Sequence, residues 1–179
     1  GTGSICCGVD ENGRFARVGG WGHLIDDGGS GYAIGRDALA LTVRGEDGRA
    51  PRGALHDTVL RRTGAADARG IVEFTYHGAS KAEVAALAAE VLRLAAQGDA
   101  QSAAILRREA EELRELVSAL ARELAIAQPR IALMGGLLAE ENVYREAVCA
   151  ALSGMAQPVR PLHDALWGAA QLAFEALGE

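Results

Sequence analysis

The chain has 179 residues, a net charge of −6, 49% apolar residues and only 4% aromatic ones, which suits one domain whose core is mainly Ala, Leu and Val. Acids and bases are interleaved without a basic block, so nucleic acid is not an expected partner. No apolar run approaches the ~18 residues of a membrane-spanning helix, no leader segment is visible, and a cytoplasmic location is expected.

Residues 1–9, GTGSICCGV, read as a glycine turn running into an apolar strand. Asp10-Glu11-Asn12-Gly13 is a hairpin turn, because Asn-Gly tolerates the positive φ values of a type I′ turn, and Arg14 to Val18 returns as a second strand. Neighbours Cys6 and Cys7 point to opposite faces of such a strand. With Cys149 they fit no CxxC spacing, so all three read as reduced, small apolar residues.

The pattern is helical from about Ser30 to Arg44, breaks at Gly45-Glu46-Asp47-Gly48, and is helical again from Pro51 to Arg62. Gly64 to Asp67 is a loop. Gly70 to Tyr76, GIVEFTY, is short, apolar and β-prone, with a buried helical turn as the alternative. Ser80-Lys81-Ala82-Glu83 is a capping box that starts a helix to about Gln97. Gly98 then suits the left-handed position past its end, and Asp99 caps the next helix.

That helix, roughly 99–127, is the longest. Leu106, Ala110, Leu113, Val117, Leu120 and Leu124 recur at spacings of three and four, with Arg107–Glu111 and Arg108–Glu112 as solvent-side pairs. With fewer than four heptads it reads as an amphipathic core helix, although a coiled-coil seam, and through it a homodimer, is the other use of the pattern. Arg130 to Met134 is a strand feeding Gly135-Gly136 and a helix to about Leu152. Gln157 to Pro161 is a short strand, and Asp164 to Leu177 a final helix with Leu166, Ala169, Leu172 and Leu177 inward. No repeat or linker interrupts the order, so residues 1–179 form a single α/β domain, a mixed sheet with helices packed on it.

The chemistry concentrates in glycine turns. Gly19 to Gly31, GGWGHLIDDGGSG, holds six glycines, Trp21, His23 and two adjacent aspartates in thirteen residues. Neither a core nor a flexible linker needs that combination, so it is a ligand-loop candidate. Gly1-Thr2-Gly3-Ser4 can offer consecutive backbone N–H groups and two hydroxyls to phosphate oxygens. Gly135-Gly136 follows a strand, where backbone can lie flat against a base or ribose and a helix N-terminus favours anions. Neither turn fits the P-loop or dinucleotide spacing.

In this order, GTGS, a hairpin, GGWGH, an Asp-containing Gly-Ser loop, a helix and a later MGG resemble the C-terminal half of the N-acetylglucosamine kinase and BadF/BadG/BcrA/BcrD ATPase family, within the actin-like, hexokinase-like and Hsp70-like superfamily. HDALWGAA, His163 to Ala170, is similar to the family's last helix. The resemblance implies a ribonuclease H-like (actin-like ATPase) lobe and an ATP-dependent amino-sugar kinase using Mg²⁺. It implies that Thr2 and Gly3 face the β/γ-phosphates, that Ser4 and Ile5 form the sugar-side end of that turn, and that Gly20, Trp21 and Gly22 line the amino-sugar site. Asp27 matches the acid that hydrogen-bonds sugar hydroxyls, Gly135 with Gly136 the adenosine turn, and Ala85 a flank of the adenine. A carboxylate suits hydroxyl recognition because charge-assisted hydrogen bonds are the stronger kind, and phosphoryl transfer needs mainly positioning and charge stabilisation.

Two positions depart from the family's Gly-Asp-Glu-Gly-Ser: Asp26 stands for a glycine and Gly28 for the glutamate, and losing that side chain is expected to loosen the loop. The family's first phosphate loop and its aspartate base have no match in this chain. Together with an opening on Gly1 rather than Met, that implies a fragment lacking an N-terminal lobe, with no catalytic residue of its own and inactive alone. Bland readings stand beside these. Trp21 either lines the site or fills the hairpin base, Asp27 either binds ligand or caps the loop, His23 reads as structural, Asp26 as solvent-facing, and Trp167 as packing. The competing functions are the ATPase that activates radical dehydratases or reductases through a cysteine-held Fe–S cluster, which the cysteine positions oppose, and a non-catalytic module dimerising through the 99–127 helix.

Overall fold

The computed structural model describes residues 2–178, so Gly1 of the first glycine turn lies outside the described residues. The opening strands form as expected: β1 (Ile5–Val9) pairs antiparallel with β2 (Phe15–Gly19), Cys6 opposite Val18 and Gly8 opposite Ala16. The Asp10 carboxylate accepts from Asn12 and Arg14 N–H and closes the turn, in which Gly13 (φ +80°) but not Asn12 takes positive φ, so the expected type I′ geometry does not form. One face of the hairpin lies on the long helix α5 (Ala100–Glu123). Gly8 faces Leu120 and Leu124 there, and Gly19, at φ +74°, faces Leu116. Cys6, half-buried on that face, has its thiol pushed up to about 11, by burial first and the Cys7 thiol second, so it stays protonated and inert.

Between β2 and α5 come α1 (Gly31–Glu46), α2 (Ala54–Thr63), α3 (Ala68–Glu73) and α4 (Lys81–Ala96). The most extensive helix pair is α1 with α4, where Gly35 lies against the Val84 carbonyl and any side chain would collide. Around this contact Ile34, Ala38, Leu87, Ala88 and Val91 are buried, and each larger side chain contributes roughly 1.5–3 kcal/mol. Helix α5 closes the core with Ile105, Leu106, Ala110, Val117 and Leu120. The seam that could have made a coiled coil is thus used inside the chain.

The caps read from sequence act as expected. Ser80 and Glu83 form both halves of a capping box, and Asp99 accepts the Ser102 N–H at 2.7 Å. Ser80's backbone and hydroxyl hydrogen bonds hold the Glu83 carboxyl below its ordinary range.

Four expectations change. Residues 70–76 are helical: Asp67 caps α3 by accepting from Arg69 and Gly70, and the run continues into a π-turn over Phe74–Gly78. Of its apolar residues only Ile71 is buried, while Val72 and Tyr76 face solvent, which is helical spacing and not a two-faced strand. Helix α5 stops at Glu123 because Ala125 takes a left-handed conformation, φ +54°. Arg108 pairs across to Asp37 instead of along its own helix to Glu112.

The fourth concerns the C-terminal third. β3 (Arg130–Ala132) pairs parallel with β4 (Gln157–Val159), so the mixed character of the α/β fold resides in two small sheets. The Gly135-Gly136 turn leads into α6 (Val143–Ala151), which begins only after Asn142 accepts from Tyr144 and Arg145. The last helix, α7 (Ala165–Leu177), is capped by Asp164, but Leu166, Ala169, Leu172 and Leu177 are exposed rather than inward. Trp167 is half-exposed and stacks on His163.

Candidate functional site

Asp27 sits where the glycine loop meets the opening turn. Its side chain is only 3% exposed, and its Oδ1 accepts the Ser4 backbone N–H at 2.9 Å. Ser4 Oγ donates to the Gly28 carbonyl at 2.6 Å, and Tyr32 N–H at the start of α1 donates to the Thr2 carbonyl. Gly3 must be small, since a Cβ there would lie 2.8 Å from Asp27 Oδ1. These ties hold turn and loop together but commit both donors of Ser4. The open donors of the turn are therefore fewer than its sequence suggested: among the described residues, the Thr2 hydroxyl and the Thr2 and Gly3 N–H groups remain.

The other Asp27 oxygen, Oδ2, is buried and has no hydrogen-bond partner; Lys81 Nζ faces it at 3.6 Å. Of the two roles read from sequence, the loop cap is the one formed: Oδ1 holds the Ser4 N–H, while Oδ2 faces Lys81 without a hydrogen bond. Asp26 faces solvent, as expected.

Behind Asp27 the loop is clamped. The Gly29 N–H donates to Glu109 Oε2 at 2.7 Å, and the Gly29 carbonyl accepts the Tyr144 hydroxyl at 2.7 Å. Gly29 has φ +79°, and a Cβ there would run into Leu113; a Cβ on Gly28 would meet the Glu112 side chain at 2.6–2.9 Å. The side chain missing at Gly28 lets α5 close on the loop and Glu112 takes the space, a packing that opposes the expected loosening. The Glu112 carboxyl is raised, by partial burial first and then by Glu109, Glu115 and Asp26. Glu109 and Tyr144 escaped the sequence reading. The one available signal was an acid at position 109, three after Leu106 and four before Leu113, on the apolar stripe of α5.

On the outer side, Gly20 (φ +76°) and Gly22 (φ +95°) flank Trp21. Gly20 approaches Ile5 so closely that an added Cβ would lie 2.9 Å from its Cδ1. Trp21 is 61% exposed and carries the Arg17 guanidinium 4.6 Å from its ring centroid, so it does not fill the hairpin base. His23 is half-buried, edge-on to Tyr32 at 4.7 Å, a structural contact.

Gly31 joins the remaining candidates. Its backbone lies against Ala85 of α4 and against Leu137, just after the glycine pair. Gly135 (φ +94°) and Gly136 are exposed, with nothing within 4 Å of an added Cβ, so a flat group can approach their backbone. Leu138 and Ala139 N–H groups fold back onto the Gly135 carbonyl, and α6 starts seven residues after Gly136, so the helix N-terminus expected behind the pair is not there.

The model of the BadF/BadG/BcrA/BcrD ATPase family matches residues 1–173. The N-acetylmuramic acid/N-acetylglucosamine kinase of Clostridium acetobutylicum is 35% identical over 145 residues, 79% of this chain and 47% of the relative. The N-acetyl-D-glucosamine kinase of Dictyostelium discoideum is 30% identical over 131 residues, 70% of this chain and 40% of the relative. A crystal structure from Chromobacterium violaceum, provisionally assigned as an N-acetylglucosamine kinase, has a TM-score of 0.79 and 31% identity, covering 96% of this chain and 56% of that one. This likeness carries the expected fold class, an actin-like ATPase lobe. The chain spans about half the length of the curated relatives it matches.

Proposed function

Because the chain belongs to the BadF/BadG/BcrA/BcrD ATPase family, we propose that it forms the nucleotide- and sugar-binding half of an ATP-dependent kinase acting on N-acetylglucosamine or glucosamine. One observation carries this reading: Asp27, buried and with one oxygen making no hydrogen bond, is hydrogen-bonded directly to the Thr2–Ser4 turn. A carboxylate suited to sugar hydroxyls and a turn suited to phosphate are neighbours, and a phosphotransferase needs its two substrates within reach of each other.

On this reading Thr2 and Gly3 meet the β/γ-phosphates through the hydroxyl and N–H groups that remain open. Gly135 and Gly136 lie along the adenosine, with Ala85 at the adenine. Ser4, Ile5, Gly20, Trp21, Gly22 and Asp27 form the sugar wall, with the indole face of Trp21 available to a pyranose ring. The exposed glycines and the open turn fit a nucleotide. No group of three or more His, Cys, Asp or Glu among the described residues is arranged to hold a metal, so Mg²⁺ would arrive on the phosphates. Bound Mg·ATP supplies the phosphoryl group and neutralises its charge. The first phosphate loop and the general base belong to a second lobe outside these 179 residues, and the chain alone binds without turnover.

The test is a thermal-shift series with ATP, ADP, N-acetylglucosamine and glucosamine on wild type and Asp27→Asn, which keeps the oxygen that bonds Ser4. Nucleotides and one amino sugar are expected to raise the wild-type melting temperature, and the variant to lose the sugar shift. No shift with any of the four would sink the kinase reading, and an unchanged sugar shift in the variant would remove Asp27 from the site.

A further inference from the structure

Lys81 is the only lysine in the chain. It opens α4 directly after the Ser80 cap, and its ammonium stands 3.6 Å from Asp27 Oδ2, the buried oxygen without a hydrogen bond. The pair is asymmetric: the Asp27 side chain is 3% exposed and the Lys81 side chain 35%. An ordinary surface ion pair leaves both groups in water and contributes little. Here the carboxylate is enclosed, while the ammonium reaches the surface and gives no hydrogen bond to any described acceptor. Asp27 Oδ1 bonds Ser4 N–H and lies against Gly3. The ammonium is therefore separated from the Thr2–Ser4 turn by the width of a single carboxyl group.

An isolated carboxylate at that place would repel phosphate. Paired with Lys81 it becomes locally neutral, and lysine binds phosphate as a compact charge with three donors. We propose that Lys81 is a phosphate-binding residue, its ammonium held by Asp27 beside the Thr2–Ser4 turn and free to donate to the phosphate oxygens of a nucleotide. The inference rests on the kinase reading for the identity of the nucleotide.

Calorimetric titration of the 179-residue chain tests it, using ATP, adenosine, inorganic tripolyphosphate and N-acetylglucosamine against wild type, Lys81→Met and Lys81→Arg. Lys81→Met is expected to weaken ATP and tripolyphosphate by about tenfold or more and to leave adenosine unchanged, and Lys81→Arg to recover most of the loss. ATP affinity unchanged in Lys81→Met, or adenosine weakened as much as ATP, would overturn the assignment and reduce Lys81 to a structural partner of Asp27. The two readings fail separately. Tripolyphosphate binding that depends on Lys81 in a chain that takes neither adenosine nor sugar removes the kinase and keeps the phosphate site. Adenosine and sugar binding with tripolyphosphate indifferent to Lys81 does the reverse.

Discussion

The hydroxyl of Tyr144 donates to the carbonyl of Gly29 at 2.7 Å, from a side chain with no exposed surface and across 115 residues of sequence. Burial first and the Glu109 charge second raise the phenol far above its ordinary range, so it remains an O–H donor. Tyr144→Phe leaves a buried carbonyl unpaired and is expected to destabilise the chain by about 1–3 kcal/mol. Urea unfolding measures this; a loss of only a few tenths would mean the carbonyl finds another partner.

Gly28 and Glu112 share one space. Gly28→Ala would press a methyl group against the Glu112 Cβ and Cγ at 2.9 Å, on a helix that is anchored on both sides and has little room to move. The expected loss is about 1–3 kcal/mol, as for other overpacked sites. In a Glu112→Ala background, which removes Cγ and the carboxylate but keeps Cβ, the same substitution should be clearly milder. Equal losses in both backgrounds would show that α5 yields instead.

His56 lies buried between two acids, with Nε2 2.8 Å from Glu46 Oε1 and Nδ1 3.0 Å from Asp57 Oδ1. Burial lowers its pKa, but the hydrogen bonds and charges of Asp57 and Glu46 outweigh this, and the net shift is upward from 6.5. A raised folded-state value contributes stability that is fully present below about 6.5, the unfolded imidazole's value, and is lost as pH rises through the folded value. Stability is therefore expected to decline from pH 6 towards mild alkali, and His56→Gln to flatten that decline. Parallel pH profiles for the two proteins would remove His56 as the cause.

Ala125 holds a left-handed conformation at the end of α5. That conformation costs an alanine roughly 1 kcal/mol that glycine does not incur. Ala125→Gly should thus raise the melting temperature slightly, despite the greater freedom glycine gives the unfolded chain. A lower melting temperature would show that the methyl group is needed for packing.

The helix starts were legible because caps act over three or four residues. Ser80 and Asp99 each cap the helix as their spacing implies. The opening hairpin was legible for the same reason. Residues 70–76 were not, since a short apolar run has no period of its own and the Asp67 cap decided for helix. The inward face assigned to α7 failed differently: periodicity shows which residues share a face, and nothing among the described residues covers this one.

By itself the sequence determined the family, the order of elements and the glycine turns, because each depends on backbone freedom and spacing within a few residues. Tertiary structure alone decided what Asp27 does with its two oxygens, that Lys81 faces it, and that Glu109 and Tyr144 grip Gly29 from 80 and 115 residues away. Those contacts exist because Gly28, Gly29 and Gly35 let helices approach backbone at distances no side chain would permit, and such complementarity leaves no local period for a sequence to display.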